Sequence, residues 1–314
     1  MEQIGRYEQA AALLPHRLRR LALQVPDWQK EQAEELRLRA GQRMSVLTAQ
    51  GELAVAPGEP EAIVAPEDLE RMVAEVTEYS RYASMEMLRQ GYLSLRGGFR
   101  LGLCGSVVMR DGEAANLRDI SSVALRIVKE RPGLADTLLP RLFDAEGRYL
   151  STLILSPPGG GKTTLLRDLI RGLSLGSEGF PPLRVAVVDE RGEIAVSCGG
   201  RVQTELGNHT DVLDGCPKAL GVMMLLRAMN PQVIALDEIT QERDVAAVCQ
   251  AANCGTGLLA SIHASGTEEL KRKPVYGALL AAGVFRRAIV IAQEDGVRQY
   301  RVEDLPCCGC SERD

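Results

Sequence analysis

The chain contains few aromatic residues and only a modest net charge. Aromatic side chains make up 4% of its 314 residues, with one Trp and four Phe. Few platforms are therefore available on which nucleic-acid bases could stack. The formal net charge of −5 is also unfavourable for a protein that coats phosphate backbones. The composition thus argues against direct binding of nucleic acid.

Long apolar segments are missing as well. No apolar run reaches the roughly 20 residues that a helix needs to cross a bilayer. Residues 1–14 do not combine a basic region with the apolar region of a signal peptide. We therefore expect a cytoplasmic protein that reaches a membrane only through partners.

Cysteine is present, but its pattern does not indicate a disulfide framework. The first five of the eight cysteines are scattered, as in reduced cytosolic proteins. The last three, Cys307, Cys308 and Cys310, offer three thiolates without a nearby histidine. This pattern favours a frayed tail over a metal site and leaves metal binding there open.

A glycine-rich segment, STLILSPPGGGKT at 151–163, is the most informative part of the chain. It predicts a buried strand, a turn and the start of a helix, which is the order of a phosphate-binding P-loop. Glycines let backbone N–H groups curl around phosphate oxygens, and the helix N-terminus favours an anion. The first glycine of the pattern is replaced by Ser156, which we expect to restrict the backbone at the loop entry. The residues predicted to bind nucleotide are Pro158, Gly159, Gly160, Gly161, Lys162, Thr163 and Thr164.

The side chains around this loop have distinct predicted roles. Lys162 is predicted to reach the β- and γ-phosphates of ATP, and the Thr163 hydroxyl to bind Mg²⁺. Val233–Leu236 reads as an apolar strand, and Asp237 follows it as a second Mg²⁺ ligand, as in a Walker B motif. Glu238 comes next and is placed to orient or deprotonate the attacking water.

Two other predicted strand ends carry groups suited to phosphate chemistry. An acidic cluster at 189–193 contains Glu190 and Glu193, which are candidates for the catalytic base beside Glu238. Like charges clustered in this way are costly without a cation. His263 ends the strand 258–262, where a neutral imidazole could donate a hydrogen bond to the γ-phosphate. The structural alternatives are an exposed charged turn and a satisfied core histidine.

These motifs lie in a region that alternates strands and helices from about residue 150. Such alternation predicts an α/β fold with a mostly parallel sheet and helices on both faces. Ligands of such sheets bind at the carboxyl ends of the strands, so the motif residues should converge there. The predicted strands are 152–155, 184–188, 233–236, 257–262 and 287–291, and the predicted helices are 162–173, 217–229, 242–252 and 268–273.

The part of the chain before this region predicts a smaller α+β domain over 1–131. Residues 132–149 are predicted to form a linker with one helix and a turn, and 306–314 a cysteine-containing tail. In the first domain, helices are expected within 7–25, from Pro66 and at 84–88, and strands at 35–39, 45–48, 52–55, 92–95, 99–108 and 122–128.

The order of the motifs resembles that of the secretion ATPases, the hexameric motors of type II and type IV secretion and of type IV pili. In that family the P-loop is followed by an acidic box, an atypical Walker B and a histidine box, which 189–193, 228–239 and 255–264 resemble. The resemblance implies a RecA-like P-loop NTPase core at 150–305, preceded by the smaller α+β domain. It also implies that Arg100 and Arg126 reach the nucleotide of a neighbouring subunit.

Segments 188–194, 214–218 and 236–239 are similar to one branch of that family, the cytoplasmic ATPases of the mother-cell channel complex in endospore-forming bacteria. The similarity implies a homo-hexamer that uses ATP and Mg²⁺. It further implies membrane proteins of the channel complex as partners and a peripheral position at the mother-cell membrane. One departure is Asp237, which stands where secretion motors usually have glycine.

Two classes of function follow from these features. The first is a ring-forming ATPase whose domain motion drives a membrane assembly. The second is a non-motor P-loop protein, either a nucleotide switch or a nucleic-acid-stimulated ATPase, and the scarcity of aromatic residues weighs against the latter. The oligomeric state in the presence of nucleotide distinguishes the two classes.

Overall fold

The computed structural model describes residues 2–77, 91–127, 131–294 and 297–305. They form two compact units. The first unit comprises Met1–Lys129 and Val196–Gln203, and the second comprises Glu130–Ala195 and Thr204–Asp314.

The segment Val196–Gln203 belongs to the first unit, although the sequence analysis placed it in the nucleotide-binding domain. The side-chain oxygen of Gln203 accepts a hydrogen bond from the Gly97 N–H at 2.8 Å, within the same unit. A polar surface segment of this kind carries no pattern that would assign it to either unit. The other predicted domain limits stay predictions.

The first unit is built on a six-stranded antiparallel sheet with the order β3-β2-β1-β6-β5-β4. Leu36 and Leu38 of β1 are fully buried, and the charged residues that alternate with them are not, as the alternation in the sequence predicts. The strands are β1 (Glu35–Arg39), β2 (Ser45–Thr48), β3 (Gly51–Ala54), β4 (Tyr92–Leu95), β5 (Phe99–Arg110) and β6 (Glu113–Arg126).

Helices of the first unit contribute to the same apolar core as the sheet. Leu18 of α2 and Met72 of α4 are fully buried in the cluster that also contains Leu101 and Leu125 of the sheet. The helices are α1 (Glu2–Ala11), α2 (His16–Leu23), α3 (Asp27–Gln32) and α4 (Pro66–Thr77), with a 3₁₀ turn at Pro60–Ala62. The helix predicted at 84–88 lies outside the described residues.

The hairpin formed by β5 and β6 is longer than the sequence analysis predicted. The predicted start of β6 at Ser122 is wrong, because that strand begins at Glu113. Asp111 and Gly112 both have positive φ, of 53° and 82°, and form a two-residue turn between the strands. An Asp-Gly pair is a strong hairpin signal. The first part of β6 was missed because the residues that follow this pair are polar.

The second unit contains a seven-stranded sheet with the order β13-β12-β7-β11-β10-β8-β9. All neighbouring strands are parallel except β12 and β13, which are antiparallel. The predicted α/β fold class, with an α+β unit before a mostly parallel sheet, is confirmed. The strands are β7 (Thr152–Ser156), β8 (Val185–Asp189), β9 (Thr210–Asp214), β10 (Val233–Leu236), β11 (Gly257–His263), β12 (Arg287–Glu294) and β13 (Val297–Asp304).

Helices cover both faces of the parallel sheet. Successive residues of β7 alternate between two apolar clusters: Ile154 packs in one with Leu165, and Leu155 packs in the other with Val248. This alternation explains why the central strands read as continuous apolar runs. The helices are α5 (Lys162–Leu175), α6 (Lys218–Ala228), α7 (Glu242–Asn253), α8 (Thr267–Arg272) and α9 (Pro274–Ala281).

The segment before β7 packs into this unit and forms the predicted turn at 146–147, but the predicted helix is wrong. Leu138 and Leu142 are buried against the sheet, and the backbone forms a 3₁₀ turn over Leu139–Leu142. Pro140, inside that turn, lacks the N–H that a longer helix would need. The buried carboxylate of Asp168 accepts backbone N–H groups of this segment and so fixes it to α5.

Several elements of the second unit were not predicted. The edge strands β9 and β13 were missed because they are rich in polar residues. Polar residues are tolerated there, since one side of an edge strand is not paired to another strand. Helix α9 begins at Pro274. Proline is favoured at the first position of a helix, but in a sequence it also indicates that the preceding helical pattern has ended. Among the described residues, no helix is long and apolar enough to cross a membrane.

Candidate nucleotide-binding site

The predicted motif residues of the second unit meet at one edge of the parallel sheet. Strands β8, β10, β11 and β7 are consecutive neighbours, and each ends at this edge. In the register of β11 and β7, His263 lies directly opposite Ser156. The topology thus brings the P-loop, the Walker B residues and the histidine into one place.

The P-loop adopts a backbone that requires glycine. Gly159 and Gly161 have φ of 74° and 97°, and Gly161 is the N-cap of α5. A Cβ on Gly160 would lie 1.7 Å from the Ser156 hydroxyl. Among the described residues, no side chain caps the N-terminus of α5. The loop therefore has the glycine-lined concavity and the helix N-terminus that suit a phosphate.

Ser156 does not restrict the loop entry in the way the sequence suggested. It is the last residue of β7, is buried, and has no positive φ. An extended strand residue does not need the freedom of glycine. The expected cost of this replacement is therefore absent.

Lys162 is held by three acceptors in this conformation. Its Nζ lies 3.0 Å from the Ser156 carbonyl oxygen, 3.2 Å from the Pro157 carbonyl oxygen and 2.6 Å from Nδ1 of His263. Burial lowers the pKa of Lys162, and the charges of Glu238 and Asp237 oppose that effect. The ammonium is thus close to acidic groups, but it forms no direct ion pair with any side chain that the structure describes.

His263 links Lys162 to Glu238. An ammonium has only donors, so Nδ1 of His263 accepts and Nε2 carries the hydrogen. That Nε2 lies 2.9 Å from Oε1 of Glu238, while Oε2 of Glu238 lies 3.8 Å from a guanidinium nitrogen of Arg191. Three of the predicted site residues therefore form one chain of close polar contacts.

The backbone at Glu238 is unusual and is fixed by neighbouring polar groups. Its φ is 22°, an uncommon value for a residue with a Cβ. The Glu238 N–H donates to Asp237 Oδ1 at 3.0 Å and to the Ser261 hydroxyl at 3.1 Å, and that hydroxyl donates to Asp237 Oδ1 at 2.8 Å. Ser261 thus holds the Asp237 carboxylate and the backbone of Glu238.

The acidic loop is organised by Asp189. Its buried carboxylate accepts the backbone N–H groups of Glu193, Ile194 and Ala195 at 2.8, 3.0 and 2.8 Å. Burial raises the pKa of Asp189, and these three hydrogen bonds counter that effect. Arg167 of α5 donates to the carbonyl oxygens of Glu193 and Ile194. This loop is therefore tied directly to the P-loop helix.

The two acidic-box candidates differ in their surroundings. Glu190 pairs with the nearly buried ammonium of Lys218, in the first turn of α6. Glu193 is half-buried, and its backbone makes the contacts to Asp189 and Arg167. Glu190 is thus paired with a cation outside the contact chain of Lys162, His263 and Glu238.

The remaining predicted residues are placed as follows. Thr163 and Thr164 are half-buried in the first turn of α5, and Pro158 is exposed in the loop. In the first unit, Arg100 and Arg126 are directly opposite each other on β5 and β6. The tail cysteines lie outside the described residues, and no metal-binding cluster of three ligands occurs in the described part of the chain.

Sequence reasoning missed four polar residues that shape this region. Ser261 lies within a strand that reads as apolar, and Arg167 and Lys218 read as ordinary charged helix residues. Arg298 lies in the unpredicted strand β13. A prediction of β13 as the strand beside β12 would have placed Arg298 near the P-loop.

The fold and the site define a P-loop protein with the architecture of secretion ATPases. It is similar to the ATPase DotB of Legionella pneumophila, with 18% identity, 86% of this chain and 76% of that chain covered, and a TM-score of 0.55. It is also similar to the pilus retraction motor PilT bound to ADP, with 17% identity, coverage of 87% and 80%, and a TM-score of 0.58. Such low identities concern the fold alone.

The family described as "Sporulation stage III, protein AA" matches residues 4–302. The stage III sporulation protein AA of Bacillus subtilis (strain 168) is 35% identical over 289 residues, which cover 91% of each chain. This chain therefore belongs to the sporulation stage III protein AA family. The resemblance inferred from the motifs is confirmed.

Proposed function

We propose that this protein binds and hydrolyses ATP with Mg²⁺ and works as a ring motor of the sporulation channel complex. The observation that carries the proposal is the chain Lys162–His263–Glu238, which lies directly beside a glycine-lined P-loop. A buried lysine, a histidine and a carboxylate at the edge of a parallel sheet suit phosphoryl transfer better than a structural role.

The residues present fit a magnesium nucleotide. The concavity at Gly160 would be filled by any Cβ, and the uncapped amides of α5 face the loop. The oxygen donors Thr163 and Asp237 suit Mg²⁺, which would neutralise phosphate charge when bound.

Each side chain of the site has a separate task. Lys162 exchanges its carbonyl and imidazole contacts for phosphate oxygens. Glu238 accepts a proton from, or orients, the attacking water, and His263 fixes the carboxylate in position. Glu190 and Glu193 are the alternative bases.

The motor role rests on the family and on the two-unit architecture. We propose a homo-hexamer in which Arg100 and Arg126 approach a neighbour's nucleotide and stabilise its γ-phosphate charge. Membrane proteins of the sporulation channel complex are the proposed partners, with no direct nucleic-acid ligand. The proposed location is the cytoplasmic side of the mother-cell membrane.

The test measures nucleotide binding, phosphate release and molecular mass for the full chain with and without ATP. Lys162→Ala should abolish turnover and weaken nucleotide binding by at least about 10-fold, since a charge-assisted contact contributes about 1.5–3 kcal/mol. The matched control is Lys271→Ala, which removes an exposed lysine that pairs with Glu268.

The outcomes separate the function classes. Normal turnover in Lys162→Ala would exclude the P-loop assignment. Nucleotide binding by a monomer without hydrolysis would replace the motor by a nucleotide switch. A ring that forms with ATP and releases phosphate would support the motor.

A further inference from the structure

The guanidinium of Arg298 lies against the P-loop of the same unit. Arg298 is near the beginning of β13, the strand that closes the parallel sheet beside β12. One of its nitrogens lies 3.4 Å from the carbonyl oxygen of Gly159. A Cβ on Gly161 would be 3.1 Å from the guanidinium carbon and 3.2 and 3.3 Å from two of its nitrogens. The absence of a side chain at Gly161 therefore leaves room for the arginine.

This arrangement differs from those of other arginines in the same hairpin. Arg287 pairs with Asp304, and a nitrogen of Arg301 lies 3.5 Å from a carboxylate oxygen of Glu303. Among the described side chains, Arg298 has no such carboxylate partner, and its one recorded acceptor is the Gly159 carbonyl at a long distance. A phosphate oxygen is a stronger acceptor for a guanidinium than a neutral carbonyl.

Lys162 and Arg298 approach the loop differently. Lys162 is buried, and its ammonium contacts the Ser156 and Pro157 carbonyl oxygens and His263. Arg298 is exposed and lies against Gly159 and Gly161. A phosphate chain held by the loop amides would meet a point charge from the lysine and a planar fork of donors from the arginine.

We propose that Arg298 binds the phosphate chain of the nucleotide in its own subunit. The inference rests on the proposed function, because it needs a nucleotide at the P-loop. Since the glycines that Arg298 contacts are in the loop itself, its contact is to phosphates common to ADP and ATP. It differs in this respect from the trans role proposed for Arg100 and Arg126.

The test compares Arg298→Gln, Arg298→Lys and the control Arg301→Gln in the full chain. Affinities for ADP and for a non-hydrolysable ATP analogue are measured by titration calorimetry, after circular dichroism has verified folding. We expect Arg298→Gln to weaken the binding of both ligands by about 10-fold or more, which is the range for the loss of a charge-assisted contact. Arg298→Lys should lose less, and Arg301→Gln should change affinity by less than about 2-fold.

Three results would overturn the proposal. Unchanged affinity in Arg298→Gln would show that the arginine only packs on the loop. Tighter binding would show that the guanidinium competes with the nucleotide. A loss confined to the ATP analogue would place the contact at the γ-phosphate. If the unmodified chain binds neither ligand, the proposed function fails and this inference with it, whereas normal binding with any of the three results overturns this inference alone.

Discussion

The ammonium of Lys162 lies 2.6 Å from Nδ1 of His263, so the histidine holds the lysine that the P-loop needs. Nε2 of the same imidazole lies 2.9 Å from Oε1 of Glu238. One ring thus connects the proposed phosphate-binding cation to a proposed base. Binding of a phosphate would draw Lys162 away from the imidazole. Glu238 would then be the remaining contact of His263 among these three residues.

His263→Ala should bind nucleotide with nearly normal affinity and hydrolyse it slowly. The change removes the group that orients Glu238, and a misplaced base costs on the order of 10²-fold. Binding of a fluorescent nucleotide and phosphate release under saturating ATP separate the two effects. His16→Ala, in the first unit, is the control. A loss of affinity with normal turnover at saturation would assign His263 to binding alone.

Glu238→Gln should bind ATP and turn it over at least about 10²-fold more slowly, because the amide keeps the shape and loses the charge of the base. Glu190→Gln and Glu193→Gln are measured in parallel by the same phosphate-release assay. Greater losses in the two acidic-box variants would move the base to that box and leave Glu238 as a metal-shell or structural residue. Normal rates in all three variants would remove every candidate.

Gly160→Ala should abolish nucleotide binding and destabilise the second unit by about 1–3 kcal/mol, as overpacking does. The added Cβ would meet the Ser156 hydroxyl at 1.7 Å and its Cβ at 3.0 Å. Ser156→Gly in the same chain removes both atoms and should restore part of the melting temperature. Gly58→Ala, where φ is not positive and a Cβ meets nothing within 4 Å, is the control for an added methyl group without a clash. A double variant no more stable than Gly160→Ala would contradict the steric explanation.

Asp214 should make folding less favourable as the pH rises. It is the register partner of Asp189, and burial, together with the charge of Asp189, raises its pKa to about 6. The folded state therefore keeps a proton between about pH 4 and 6 that the unfolded state has lost, so the free energy of unfolding decreases through that window and stays lower above it. Because part of Asp214 remains accessible to solvent, the effect should not exceed about 1 kcal/mol.

The corresponding test is the melting temperature of Asp214→Asn at pH 4 and pH 7.5. The variant should be more stable than the parent at pH 7.5, and the difference should largely vanish at pH 4. Asp211→Asn, on the same strand, is the control. An equal gain at both pH values would attribute the effect to packing rather than to charge.

Arg100 and Arg126 should act across a subunit boundary. A chain with Arg100→Ala and Arg126→Ala and a chain with Lys162→Ala should each be inactive, with losses of about 10³-fold for missing arginines. Mixed rings should recover phosphate release where an intact P-loop meets intact arginines. Arg118→Ala, on the exposed part of β6, is the control. Demonstrated mixed rings without recovery would argue against trans catalysis and for a switch.

The sequence predicted the parts of the site that continuous apolar strands position. β7, β10 and β11 are buried on both faces, so their limits and the polar residues after them could be recognised. The polar edge strands gave no such signal. Because β13 was not predicted, Arg298 was not recognised as a residue near the P-loop. The pair of Glu190 with Lys218 could not be found either, because it depends on the placement of the acidic loop beside the first turn of α6, 28 residues later in the chain.

The position of β7 in the middle of its sheet also constrains how the protein becomes active during synthesis. The strand before the P-loop pairs with β11 and β12, both of which are translated long after it. Such non-local pairing makes folding slow and delays it until the late strands have left the ribosome. The P-loop sequence is therefore made early but can become a competent site only near the end of translation, so a prematurely terminated chain would expose an unpaired apolar strand.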